Sequence, residues 1–132
     1  MLNATLMTAI GLLIALIVFP GAGTALADPR FAKTQTGTAV FYHDRYHGRR
    51  TANGEIYDKN ALTAAHMRYP FGTRLRVTNL QNQKSVIVKV NDRGPYSRRF
   101  ILDVSRRAAR LLDFVRKGTA RVKIEVLELG AP

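Results

Sequence analysis

"TRLRVTNLQNQKSVIVKVNDRGPY", Thr73 to Tyr96, decides the fold class. The first run alternates, with Leu75 and Val77 on one side and Arg74, Arg76 and Thr78 on the other. The second answers it, with Val86, Val88 and Val90 on one face and Ile87 and Lys89 opposite. A period of two over both runs marks half-buried strands, and Gln81 to Lys84 suits a hairpin connector. The second strand must leave its sheet at Asn91-Asp92, because Gly94 and Pro95 do not continue a strand easily. Asp92 therefore stands at a strand end, on a rigid rim of the sheet.

Working outward from this hairpin, the remaining chain also reads as mainly β. Gly37 to Tyr42 is a short strand with β-branched and aromatic residues. A long loop follows, with turn signals at Gly48 and Asn53-Gly54. The phrase "ALTAAH", Ala61 to His66, suits either a short strand or one helical turn. "FILDVS", Phe100 to Ser105, is a strand whose Ser105 can cap a helix from about Arg106 to Lys117, ended by Gly118. "TARVKIEVLEL", Thr119 to Leu129, gives a last strand. Many short strands, one short helix and one rich loop point to a small barrel.

The first 27 residues carry no charged side chain, and Ala4 to Phe19 is almost wholly apolar. Pro20-Gly21 breaks that run, and Ala25-Leu26-Ala27 has the small-x-small pattern of a signal-peptidase site. Residues 1–27 are therefore expected to be a secretory signal, with an uncleaved anchor as the other reading. Residues 28–36 read as a polar linker, and 37–129 as one domain. All 21 Lys and Arg and all nine acids follow the apolar segment, so the exported part carries the whole formal charge of +12. Its expected partners are anionic lipid headgroups or a cell wall bearing carboxylates and phosphates, rather than nucleic acid. The chain has no cysteine, which excludes disulfides, a thiol nucleophile, Cys-based metal sites and lipidation through cysteine.

Three side chains stand out as candidate chemistry. Glu55 projects from the Asn53-Gly54 turn, His66 follows it by eleven residues, and Asp92 lies a further twenty-six along. On the residues alone, Asp92 equally suits a turn bond to backbone N–H groups or a pair with Arg93. Glu55 suits an exposed turn acid, and His66 a hydrogen-bonded structural histidine. His43 and His47 flank Asp44 without a further obvious ligand, so no metal is expected. Nucleophile elbow, phosphate loop and zincin motif are all absent, which leaves serine-hydrolase and nucleotide chemistry unsupported.

The phrases "HGRRTANGEIYDKNALTAAH", "PFGTRLRVTNL", "VIVKVNDRGPY" and "ILDVSRRAARLL" closely resemble the rare lipoprotein A family of bacterial septal lytic transglycosylases. The resemblance runs from about Gly37 to Leu127. It implies a six-stranded double-psi β-barrel with one short helix, of the kind shared with expansins and barwin-like domains. It further implies cleavage of peptidoglycan glycan strands, preferably those lacking stem peptides, with no cofactor. The family's acids match Asp92 and Glu55 as catalytic residues, and its histidine matches His66. Tyr42, Asn53, Asn91 and Arg93 adjoin these positions and are expected to support the site or bind substrate.

In a lytic transglycosylase the muramic C6 hydroxyl attacks internally, so no water needs activation by a second carboxylate. One acid, expected to be Asp92, can protonate the leaving oxygen and then take the C6 proton. That role requires the adjacent Arg93 to point away, as successive strand residues do, or Glu55 to lie close. Four features depart from the family. No lipidation cysteine is present, the sequence read to Pro132 does not match the family's C-terminal glycan-binding repeat, "AVFYHD" replaces a more usual small-Trp-Tyr-Gly phrase, and the "RRAARLLDF" helix end is atypical. The expectation is a monomeric protein of the periplasm or cell envelope, without a stable membrane domain after signal cleavage. A non-catalytic, expansin-like wall-binding or wall-loosening module is the competing reading.

Overall fold

The computed structural model describes residues 32–132, so the expected signal segment lies outside the described residues. Six strands and one helix follow in order: β1 Thr34–Phe41, β2 Thr63–Ala65, β3 Arg74–Asn79, β4 Ser85–Asp92, β5 Leu102–Val104, α1 Arg106–Leu111 and β6 Ala120–Glu128. They close into a barrel in the order β1-β5-β2-β4-β3-β6, with β6 pairing back onto β1. Two of the pairings, β1 with β5 and β2 with β4, are parallel. The other four are antiparallel. Closure leaves no free sheet edge, which suits a small domain with no disulfides.

The alternation read from the sequence is what fills the barrel. Leu75, Val77, Val88 and Val90 are buried to 1% exposure or less, and Ala39, Ala64, Leu102, Val104, Val122 and Ile124 close the core around them. Arg74, Arg76, Ile87 and Lys89 face outward, as the period of two requires. Each fully buried Leu, Ile or Val contributes roughly 1.5–3 kcal/mol.

Two boundaries differ from the sequence reading. The expected linker is partly strand, because β1 already pairs at Thr34 with Glu125 of β6 and ends at Phe41. The helix stops at Leu111 rather than running to Lys117. There Asp113 takes a left-handed backbone (φ 60°), which turns Phe114 inward to 1% exposure. Phe114 then meets Phe41 edge-on at 5.8 Å. Burying that ring competes successfully with another turn of helix. Ser105 caps α1 as expected, its hydroxyl accepting from Ala108 N and donating to Ala61 O. Among the described residues no helix is long and apolar enough to cross a membrane.

The irregularity that positions the site lies at the end of β4. Ala64 pairs with Val90, but Ala65 pairs with Asp92, so Asn91 is an extra residue in the ladder. Asn91 is buried while Asp92 is returned to the outer face. Gly94, at φ 139°, then leads the chain away, and a Cβ there would stand 3.8 Å from the Ala65 methyl. Leu75→Ala should remove about 2–5 kcal/mol of stability by leaving a cavity in the closed barrel, read as a lowered urea midpoint at unchanged slope.

Candidate active site

A cleft of about 540 Å³ lies on the outer face of the barrel, over β2 and the ends of β4 and β5. Ala65 forms part of its floor and pairs with Asp92 on one side and with Asp103 of β5 on the other. Directly paired residues present their side chains to the same face. Asp92 and Asp103 therefore flank Ala65 on one surface, with Cα atoms about two strand spacings, or roughly 10 Å, apart. Ala65 itself is covered, at 2% exposure, by packing with Tyr42 and Tyr57.

Asp92 is held by three donors. The Tyr42 hydroxyl donates to its Oδ2 at 2.6 Å. The backbone N–H groups of Ala52 and Arg93 both donate to Oδ1 at 2.9 Å. The carboxylate thus ties the end of β4 to the residue that follows β1 and to the 50–56 loop. That loop is further anchored by Asn53 N donating to Asn91 O. Tyr42 is itself fixed by packing on Tyr57, ring centroids 4.3 Å apart, and edge-on to Tyr46. Burial first, then the hydrogen bond and charge of Asp92, push the Tyr42 hydroxyl's pKa far up. It remains a phenol and a donor.

Asp103 is the functional candidate the sequence reading missed. It lines the cleft, yet its Oδ1 is buried and has no hydrogen-bond partner among the described residues. Burial, followed by the negative charge of Asp92, pushes its pKa up to about 7. The available signal was an acid inside "ILDVS", between two core residues of a short strand, where alternation turns it to the opposite face.

The other expected residues fall into two groups. Glu55 lies at the edge of the Asp92 surface. Its side chain accepts from Asn53 and pairs with Lys89 at 3.2 Å, and these contacts hold it below the usual carboxylate range. Lys89 pairs with Thr63, two residues before Ala65, so it stands about 7 Å along the sheet from Asp92. Arg93 turns its guanidinium from Asp92 to the carbonyls of His66 and Tyr69 and to the Phe71 ring, 3.9 Å away. Asn53 Oδ1 accepts from Thr51 and from Glu55 N, bracing the turn. Asn91 is buried beneath the surface.

His66 is not brought together with the carboxyls. Ala65 faces the cleft, so the next side chain turns the other way. The His66 ring stacks on Tyr69 at 3.9 Å and its Nε2 meets Gln35 Oε1 at 3.2 Å. Its Nδ1 accepts from Arg68 N and Tyr69 N, a network that assigns the proton to Nε2. Burial, then the charges of Arg93 and Arg68, lower its pKa to about 4. It reaches Asp92 only through backbone, His66 N donating to Asp92 O. His43 and His47 accept from Arg45 N and Lys59 N. Among the described residues no cluster of three or more His, Cys, Asp or Glu could hold a metal ion.

A family model described as lytic transglycolase matches residues 34–124, which include β1 through most of β6 and every side chain of this site. The chain belongs to the lytic transglycolase family. Similar proteins include the endolytic peptidoglycan transglycosylase RlpA of Neisseria meningitidis, 57% identical over 74% of this chain and 41% of that protein. The RlpA of Pseudomonas aeruginosa is 50% identical over 74% of this chain and 28% of that protein. The chain thus spans less than half the length of these relatives.

Solved structures with the same fold include the Streptomyces papain inhibitor and the apo expansin of Clavibacter michiganensis. The inhibitor superposes with a TM-score of 0.60 at 20% identity, covering 74% of this chain and 96% of its own. The expansin superposes with a TM-score of 0.58 at 20% identity, covering 75% and 52%. The closed six-stranded barrel is a double-psi barrel, as the family resemblance implied.

The two shifted groups give opposite stability signatures. The unfolded chain protonates His66 before the folded protein does, so its contribution is lost as pH falls from about 6.5 toward 4. Folded Asp103 keeps a proton that the unfolded chain has released, so its cost grows as pH rises from the ordinary carboxylate range to about 7. Melting curves across pH should show Asp103→Asn raising the melting temperature at pH 8 relative to the parent, with the gain shrinking by pH 4. His66→Ala should lower it at pH 7, because the buried Tyr69 N–H and the part-buried Arg68 N–H lose their acceptor.

Proposed function

We propose that this chain is an endolytic peptidoglycan lytic transglycosylase, exported to the periplasm or cell envelope and acting as a monomer on glycan strands, preferably those lacking stem peptides. The observation that carries this reading is the Asp92 carboxylate, fixed by three donors on the floor of an open cleft. A general base has to be held within hydrogen-bond reach of the proton it takes. In the reaction, the C6 oxygen of N-acetylmuramic acid attacks its own C1 as the bond from C1 to the N-acetylglucosamine oxygen breaks. Asp92 receives the C6 hydroxyl proton, the leaving oxygen gains one, and a 1,6-anhydromuramyl end results. No metal or cofactor is required by this balance.

The residues around Asp92 supply the other needs of such a site. Tyr42 orients the carboxylate through its hydroxyl. Arg49 and Arg50 line the cleft and give it a positive wall toward an anionic saccharide. Tyr46 and the largely exposed Tyr96 present aromatic faces beside it. Glu55, ionised and braced by Lys89 and Asn53, serves the sugar that extends along β4 from the cleft. Asn53 and Arg93 shape the two flanking turns, while Asn91 and His66 support the site from beneath.

A non-catalytic wall-binding module, in the manner of expansins, is the second reading; the shared fold of the Clavibacter expansin hints at it, while the +12 charge suits both. The two readings separate in one assay. Full-length protein incubated with intact peptidoglycan and with strands lacking stem peptides should release anhydromuramyl products, read by mass spectrometry. Asp92→Asn should reduce the release by about 10²–10⁴-fold. Protein that pellets with the wall and releases nothing would establish the binding module instead.

A further inference from the structure

The transglycosylase reading asks Asp92 alone both to give a proton and to take one, and leaves a second carboxyl in the cleft without a role. That carboxyl belongs to Asp103. We propose that Asp103 is the proton donor to the leaving oxygen, and that Asp92 only receives the C6 hydroxyl proton. The inference rests on the transglycosylase reading and divides between two residues the work expected of Asp92 alone.

Three observations carry it. Asp92 and Asp103 flank Ala65 on one surface, and both line the same cleft. A saccharide in that cleft would meet both carboxyls, one toward the C6 hydroxyl and one toward the departing oxygen. Second, the hydrogen-bonding states of the two acids are opposite. Asp92 accepts from three donors, the environment of a base. Asp103 buries an oxygen that receives none, and an unpaired buried carboxyl resists ionisation. Third, the groups facing Asp103 reinforce that difference. Asp92 on β4 repels a second negative charge, and the Tyr42 hydroxyl is given to Asp92. The Tyr57 hydroxyl oxygen accepts from Arg106 N. Arg49 and Arg50 stand across the cleft, and neither lowers the Asp103 pKa, which lies near 7.

The step balances. Asp103 gives its proton to the N-acetylglucosamine oxygen as the bond to C1 breaks, and Asp92 takes the proton of the C6 hydroxyl as that oxygen bonds to C1. The enzyme is left with Asp103 ionised and Asp92 protonated. Passage of one proton from Asp92 to Asp103, directly or through solvent, restores the starting state.

The test compares two leaving groups. Full-length parent, Asp103→Asn and Asp92→Asn are assayed on glycan strands lacking stem peptides. They are also assayed on a disaccharide whose N-acetylmuramic C1 carries 2,4-dinitrophenolate, which departs without a proton. Asp103→Asn should lose about 10²–10⁴-fold on strands yet keep a rate close to the parent's on the aryl substrate. Asp92→Asn should lose both.

The unsubstituted protein gives a check independent of any folding defect. Its kcat/KM on strands should fall as pH rises through about 7, and this limb should be absent with the aryl substrate. Equal loss of both activities in Asp103→Asn, full activity of that variant on strands, or the same alkaline limb with both substrates would overturn the assignment and leave Asp92 as base intact. A parent that forms no anhydromuramyl ends would remove the transglycosylase reading and this assignment with it.

Discussion

The seating of the Asp92 carboxylate is the constraint on which the rest of the site depends. Two backbone N–H groups and one tyrosine hydroxyl converge on it from three separate parts of the chain. Each donor requires its own support. Tyr42 needs Tyr57 beneath it, Ala52 needs the 50–56 loop braced through Asn53, and Arg93 N needs the chain to leave β4 where it does. Hydrogen bonds to a charged acceptor are about twice as strong as neutral ones, so this convergence also organises the local fold.

The extra residue in β4 makes that arrangement possible. Without the bulge at Asn91, strict alternation would turn position 92 into the core, where an acid would face Val90 and Val104. With it, Asn91 is buried and Asp92 joins Ala65 and Asp103 on the outer face. Asp103 occupies the same surface with none of those donors, and burial, then the charge of Asp92, raises its pKa to about 7.

Much of the barrel was legible in the sequence because alternating apolar residues have only one way to face a core. The β3–β4 hairpin and β6 follow directly from their period of two. The site was legible only in part. Asp92 stood out because a strand visibly ends beside it, and the freedom of Arg93 to turn away followed from the same geometry. Asp103 was hidden because "LDV" reads as a buried strand, and nothing local tells that its outward face lies under a cleft. His66 was harder still, since knowing that it turns from the cleft requires the pairing of Ala65 with Asp92 and Asp103, and its Nε2 partner Gln35 lies on distant β1. The early stop of α1 depended on Phe114 finding Phe41, a contact between residues far apart in the chain.

The central claim is that Asp103 keeps its proton up to near-neutral pH, and it is open to direct observation. Carboxyl-carbon NMR of the full-length protein, with aspartates labelled and assigned, follows Asp103 through a pH titration in the parent and in Asp92→Asn. The account predicts a midpoint near 7 in the parent, moving down in the variant because one of its two causes is removed. Titration of Asp103 in the ordinary carboxylate range, unmoved by the loss of Asp92, would contradict it.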